Sequence, residues 1–90
     1  MQKLEVEKEA VALLKSGLEI EKKLLEQSHE KYKKEIVTFE KEYGMSSKKF
    51  FDEFNSGNLG DDEKWFDWLF AYKAYNHAKE KLELAKKIKL

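Results

Sequence analysis

The stretch Asp61-Asp62-Glu63-Lys64-Trp65-Phe66-Asp67-Trp68-Leu69-Phe70-Ala71-Tyr72-Lys73-Ala74-Tyr75 decides the fold of this 90-residue chain. It holds both tryptophans, two of the six phenylalanines and two of the four tyrosines. Acidic residues open it, where the unpaired amides and positive dipole end of a helix favour them. At about 100° per residue, Trp68, Ala71, Tyr75, Ala78, Leu82 and Ala85 fall on one continuous seam. Large and small residues alternate along that seam, which suits close helix packing. Trp65, Phe66, Leu69, Phe70 and Tyr72 form a second patch on another face, confined to the first turns. One helix with two apolar faces must touch two neighbours.

The first neighbour lies upstream. Leu4, Val11, Leu18, Leu25, Tyr32 and Phe39 recur every seven residues, with Leu14, Ile36 and Tyr43 three or four positions away. Leu4 to Tyr43 therefore reads as one amphipathic helix. Glu19 with Lys23, and Glu30 with Lys34, stand at the favourable i, i+4 order on its wet side. Ser16-Gly17 is its weak point, since a mid-helix glycine costs about 1 kcal/mol relative to alanine.

The second neighbour is short. Gly44 is placed to stop the first helix in a left-handed conformation. Ser46 caps the next one, and Met45 with Phe50 forms a hydrophobic staple across the cap. That helix runs from Ser47 to about Phe54, with Phe50, Phe51 and Phe54 on one side. Residues Asn55 to Gly60 read as a loop. The third helix follows and runs to the late eighties, ending on Lys86, Lys87 and Lys89, the sign its dipole prefers. The expected fold is all-α: an antiparallel hairpin of two long helices with a short connecting helix, in one reading assembled as a helical-bundle dimer. Trp65, Trp68 and Phe70 are expected to be buried against Phe50, Phe54 and Phe39.

Composition narrows the function classes. Ninety residues make one domain. The absence of cysteine removes disulfides, thiolate metal sites and thiol nucleophiles, and the absence of proline leaves long helices unbroken. No segment approaches the roughly 20 apolar residues of a membrane span, and the start of the chain lacks a signal-peptide core. The expectation is a soluble, cytoplasmic protein. Its 18 basic residues balance 18 acidic ones and interleave with them. Every basic residue is lysine, so the planar fork that reads guanine or grips phosphate is missing. Nucleic acid and membrane are therefore not the expected partners.

Candidate chemistry is sparse. Glu26-x-x-His29 matches half of a di-iron bundle motif, but the second copy fails because Ala74 stands three before His77. His29 reads more simply as a hydrogen-bonded seam residue, and His77 as a surface one. Asp61-Asp62-Glu63 are explained as helix-opening carboxylates. Gly57-x-x-Gly60 lacks the strand and lysine of a phosphate loop. The serines show no histidine–carboxylate partnership. Aromatics interleaved with lysine can stack on single-stranded nucleic acid, but here they occupy core positions. No catalytic residue, cofactor or metal ligand is expected, and the chain is read as a non-enzyme.

Lengths add one more expectation. The first helix is about 60 Å long and the third about 42 Å. Paired antiparallel from Gly44, the third runs out near Leu18. Leu4, Val6, Val11, Leu13, Leu14 and Leu18 then form an apolar candidate for partner binding. Residues 1–16 either fold back at Ser16-Gly17 or meet another chain, most simply a second copy in a homodimer.

The run Phe39-Glu40-Lys41-Glu42-Tyr43-Gly44-Met45-Ser46-Ser47-Lys48-Lys49-Phe50, then Phe54-x-x-Gly57, then Asp61-Asp62-x-x-Trp65-x-x-Trp68, resembles small prokaryotic antitoxin-like helical proteins. The resemblance covers about residues 36–80. It implies a non-catalytic protein that binds and neutralises a toxin partner. Residues 1–35 depart from the many antitoxins that carry a DNA-binding half, since they show neither strand alternation nor arginine.

Overall fold

The computed structural model describes residues 8–88. Three helices follow in order: α1, Lys8–Tyr43; α2, Ser47–Asn55; and α3, Glu63–Lys86. The described residues contain no strand. α1 and α3 lie antiparallel, and α2 closes the end where they join. The molecule is a rod 61 Å long and 25 by 19 Å across.

The stops and starts follow from named residues. Gly44 takes φ 66°, and its N–H donates to the carbonyl of Glu40 at 2.9 Å. A side chain there would be held in the strained left-handed region. Ser46 Oγ accepts the N–H of Lys49 at 3.1 Å, the N-cap expected of it. α2 ends in a Schellman turn: Asn58 N–H donates to the Glu53 carbonyl and Gly57 N–H to the Phe54 carbonyl, each at 3.1 Å. Asp62 caps α3 by accepting the Lys64 N–H at 3.2 Å.

α1 is continuous through Ser16 and Gly17. The fold-back is thereby overturned for the described residues. One glycine costs about 1 kcal/mol, and a long proline-free helix on both sides carries it.

The core sits at the turn end. Trp68 is wholly buried, as are Phe50 and Ala71. The Phe50 ring lies parallel to Trp68 at 4.1 Å, and Phe39 stacks on it at 5.5 Å. Tyr43 and Trp65 pack beside them with centroids 5.1 Å apart. Met45 joins this cluster, as the staple requires. A buried polar chain ties the three helices together. The Trp68 indole N–H donates to Ser47 Oγ at 2.9 Å. The Ser47 backbone N–H in turn donates to Glu40 Oε2 at 2.7 Å. Each helix supplies one member, and each buried polar group is satisfied, which is the condition for burying it cheaply.

The second aromatic patch of α3 meets α2 as expected except at Phe70, although Trp65 is only half-buried and Phe66 half exposed. Trp65 meets Phe50, Phe66 meets Phe54, and Tyr72 meets Phe51. Phe70 does not join them. It is 63% exposed and meets the Tyr32 ring on α1 edge to face, with centroids 5.8 Å apart. Leu69 centres the face that α2 covers, and one further residue turns about 100° away from it. Phe70 thus turns away from α2 and lies at the rim of the contact with α1. On the wet side of α1, Glu19 pairs with Lys22 at 3.5 Å, in place of the expected Lys23. Such an exposed pair contributes little.

Candidate interaction surface

Ring contacts fix the register of the hairpin. Tyr43 lies against Trp65, Phe39 against Trp68, and His29 against Tyr75. Contacts that move down α1 from Tyr43 to His29 move up α3 from Trp65 to Tyr75, with paired residue numbers summing to about 104–108. The last helical residue, Lys86, therefore comes level with the turn Leu18–Lys22. Burial agrees: Ala78 and Ala85 are buried on α3, and Leu18 and Lys22 are half-buried on α1. The small alanines let the two backbones approach closely.

Beyond that level, no described helix lies beside α1. Leu13 is 73% exposed and Leu14 51%. Val11 and Leu18 are half-buried, so the overhang leaves them less bare than its length alone suggests. Leu4 and Val6 lie outside the described residues. The exposed apolar surface is also wider than the expected set. Ile20 is 62% exposed and Leu24 53%, while Leu84 and Ile88 are exposed near the end of α3. The sequence carried a signal for Ile20 and Leu24, since both are aliphatic residues off the seven-residue seam.

The remaining candidates resolve into structure. His29 is half-buried with its ring 4.7 Å from Tyr75, so its partner is an aromatic face. His77 is exposed. Asp62 serves as a helix cap and Gly57 as a helix stop. Ser46 and Ser47 are engaged in capping and in the buried polar chain. Among the described residues, no three His, Asp or Glu side chains converge as a metal site would require. The Tyr43 phenol is held above its ordinary value, chiefly by desolvation and further by the carboxylates of Glu42 and Asp62. Lys64 lies over the rings of Tyr43 and Trp65, at 5.2 and 4.8 Å from their centroids. It covers the edge of the aromatic core and explains its own partial burial.

Two shallow depressions mark the surface. One lies at the α1–α2 junction around Val37, Glu40 and Met45, the other along α1 around Ile20, Lys23 and Glu26. Both are open to solvent; the second is lined by Ile20 and the charged side chains of Glu19, Lys22, Lys23 and Glu26, and neither encloses a small ligand. No described helix is long and apolar enough to cross a membrane. Comparison with protein-family models, with characterised proteins and with solved structures gave no match. What the arrangement offers chemically is an apolar helical surface at one end of a rod.

Proposed function

We propose that this chain is a non-catalytic protein-interaction module whose open end binds another polypeptide. One observation carries the reading. Six of the nine exposed large apolar residues described, Leu13, Leu14, Ile20, Leu24, Leu84 and Ile88, lie toward the half of the rod away from the turn, while Val37, Phe66 and Phe70 lie nearer to it. Apolar surface clustered in this way on a soluble helix is the usual mark of an interface. A helix presenting such residues can enter a groove or pair with another helix.

The resemblance to antitoxin-like proteins supports a toxin as the heterologous partner. Its motif residues are spent on the fold. Phe39, Tyr43, Phe50, Phe54, Trp65 and Trp68 build the aromatic core, while Gly44, Ser46 and Gly57 make its turns and cap. A toxin would then dock on the open end, leaving the motif buried. Self-association through the same end is the second reading, favoured by the aliphatic, weakly charged character of the exposed set.

Sedimentation tests both. The full chain is measured alone and mixed with the product of the adjacent gene. The expected result is a species heavier than the monomer in at least one case, lost in a variant that starts at Lys15. A full chain that stays monomeric at high concentration in both cases overturns the interaction reading.

A further inference from the structure

α1 carries a second stripe, separate from the seam that meets α3. Ala10, Leu13, Gly17, Ile20 and Leu24 follow one another at spacings of three and four, the a/d pattern of a coiled coil. On the helix this stripe lies about 120° from the seam of Val11, Leu18 and Leu25. Its large members are the most exposed aliphatics of α1: Leu13, Ile20 and Leu24. Gly17 is open, with nothing within 4 Å of where a side chain would begin. α3 packs on the other face from Leu18 onward, and Leu13, Gly17, Ile20 and Leu24 are exposed while Ala10 is half-buried.

We propose that this stripe is a homodimer seam, in which two copies of α1 cross antiparallel about a two-fold axis near Lys15. The proposal rests on the interaction reading above and names its partner as a second copy of the chain.

Size chooses this arrangement, and one opposite-charge pair among the described residues fits it. In an antiparallel pair, a positions of one helix meet d positions of the other. With the axis at Lys15, Leu13 faces Gly17 of the second copy and Ile20 faces Ala10. Both of these layers set a large residue against a small one, and each occurs twice; Leu24 falls beyond them, level with residues outside the described ones. Gly17 then gives Leu13 room to approach the backbone. Leu14 meets its own counterpart beside the axis, which would cover a residue that α3 does not reach. On the opposite flank Glu9 faces Lys23 of the second copy, again twice. Both residues are exposed in the monomer and free to turn toward a partner. A parallel pair in register does worse. It sets Gly17 on Gly17 and Ala10 on Ala10, leaving two thin layers. Its flanking neighbours are Glu9 with Leu14, Ser16 with Glu21, and Lys23 with Ser28, with no opposite charges among them.

Sedimentation equilibrium of the full chain and of single variants tests the seam. Ile20→Glu is expected to weaken dimerisation at least tenfold while the dilute protein keeps its helicity and melting temperature. Glu9→Lys and Lys23→Glu should each weaken it several-fold, and the double reversal should restore it. The chain has no cysteine, so a spin label on Glu30→Cys reports orientation without background. The antiparallel dimer places the two labels about 45 Å apart, from 1.5 Å per residue on either side of the axis. A parallel one places them within about 20 Å, allowing for the 8–10 Å between axes and the label arms. A dimer indifferent to Ile20→Glu, a failed charge rescue or a short label separation overturns this seam and leaves the broader interaction reading standing. A chain that is monomeric alone but binds the adjacent gene's product overturns the homodimer in the same way.

Discussion

At the turn end of the rod, Trp68 and Phe50 stack face to face out of contact with water, and three helices supply their walls. At the far end, Leu13 and Ile20 stand in solvent on a helix with at most one neighbour. The two ends are equally helical and differ in thickness. A helix flanked by two others can bury two faces, which is why α3 can carry aromatics around most of its first turns. A helix flanked by one buries a single stripe, and any second stripe is left for something outside the monomer. Stability therefore concentrates where α2 covers the hairpin, and the interface proposed above lies where it does not.

The comparison is broken most directly by truncating each end in turn. Trp68→Ala should cost about 3–5 kcal/mol, the range for deleting a buried aromatic. At about 4–8 °C per kcal/mol for a domain of this size, the melting temperature falls far. Leu13→Ala, measured in dilute solution, should change stability by no more than about 0.5 kcal/mol. Equal losses at the two sites would erase the distinction between them.

A smaller effect probes the polar chain at the closed end. Ser47→Ala removes the acceptor of the Trp68 indole N–H and strands that donor in the core. The expected loss is about 1–3 kcal/mol by urea denaturation. A neutral result would mean that the indole finds another acceptor and that packing alone holds the three helices. At the open end the sign reverses. Gly17→Ala fits the helix without a clash and should raise stability by about 1 kcal/mol in dilute protein. Destabilisation there would show that α1 is bent or broken near Ser16 in solution.

The smallest effect is alkaline. The raised Tyr43 phenol means that the unfolded chain loses this proton first as pH climbs. Its contribution to stability is complete below the ordinary phenol value and declines as pH rises through the higher folded value. Replacing Glu42 with Gln should lower the folded value and narrow that window, readable by NMR titration of the ring. No change on removing Glu42 would leave desolvation and the Asp62 carboxylate as the causes.

Much of this was legible in the chain itself. Gly44, Ser46, Asp62 and the seven-residue recurrence placed three helices, because caps, stops and periodicity are local and act within a few residues. The seam of Trp68, Ala71, Ala78 and Ala85 was readable for the same reason, since alternation of size along one face survives in any tertiary setting. The exposed overhang at Leu13 and Leu14 followed from helix lengths alone.

Other features depended on where neighbours lie. Phe70 has the character of a core residue, and it is left outside because α2 meets α3 through Trp65, Phe66 and Tyr72. Glu40 looked like one more surface carboxylate until the turn at Gly44 brought the first amide of α2 within its reach. The second stripe from Ala10 to Leu24 was present in the sequence, but a stripe becomes a free surface only once the other face is occupied. Sequence determined the helices, their caps and the hairpin, because those depend on local bonding and period. Tertiary structure decided which apolar residues remain unused, because exposure depends on which neighbouring helices are present and how far each one reaches.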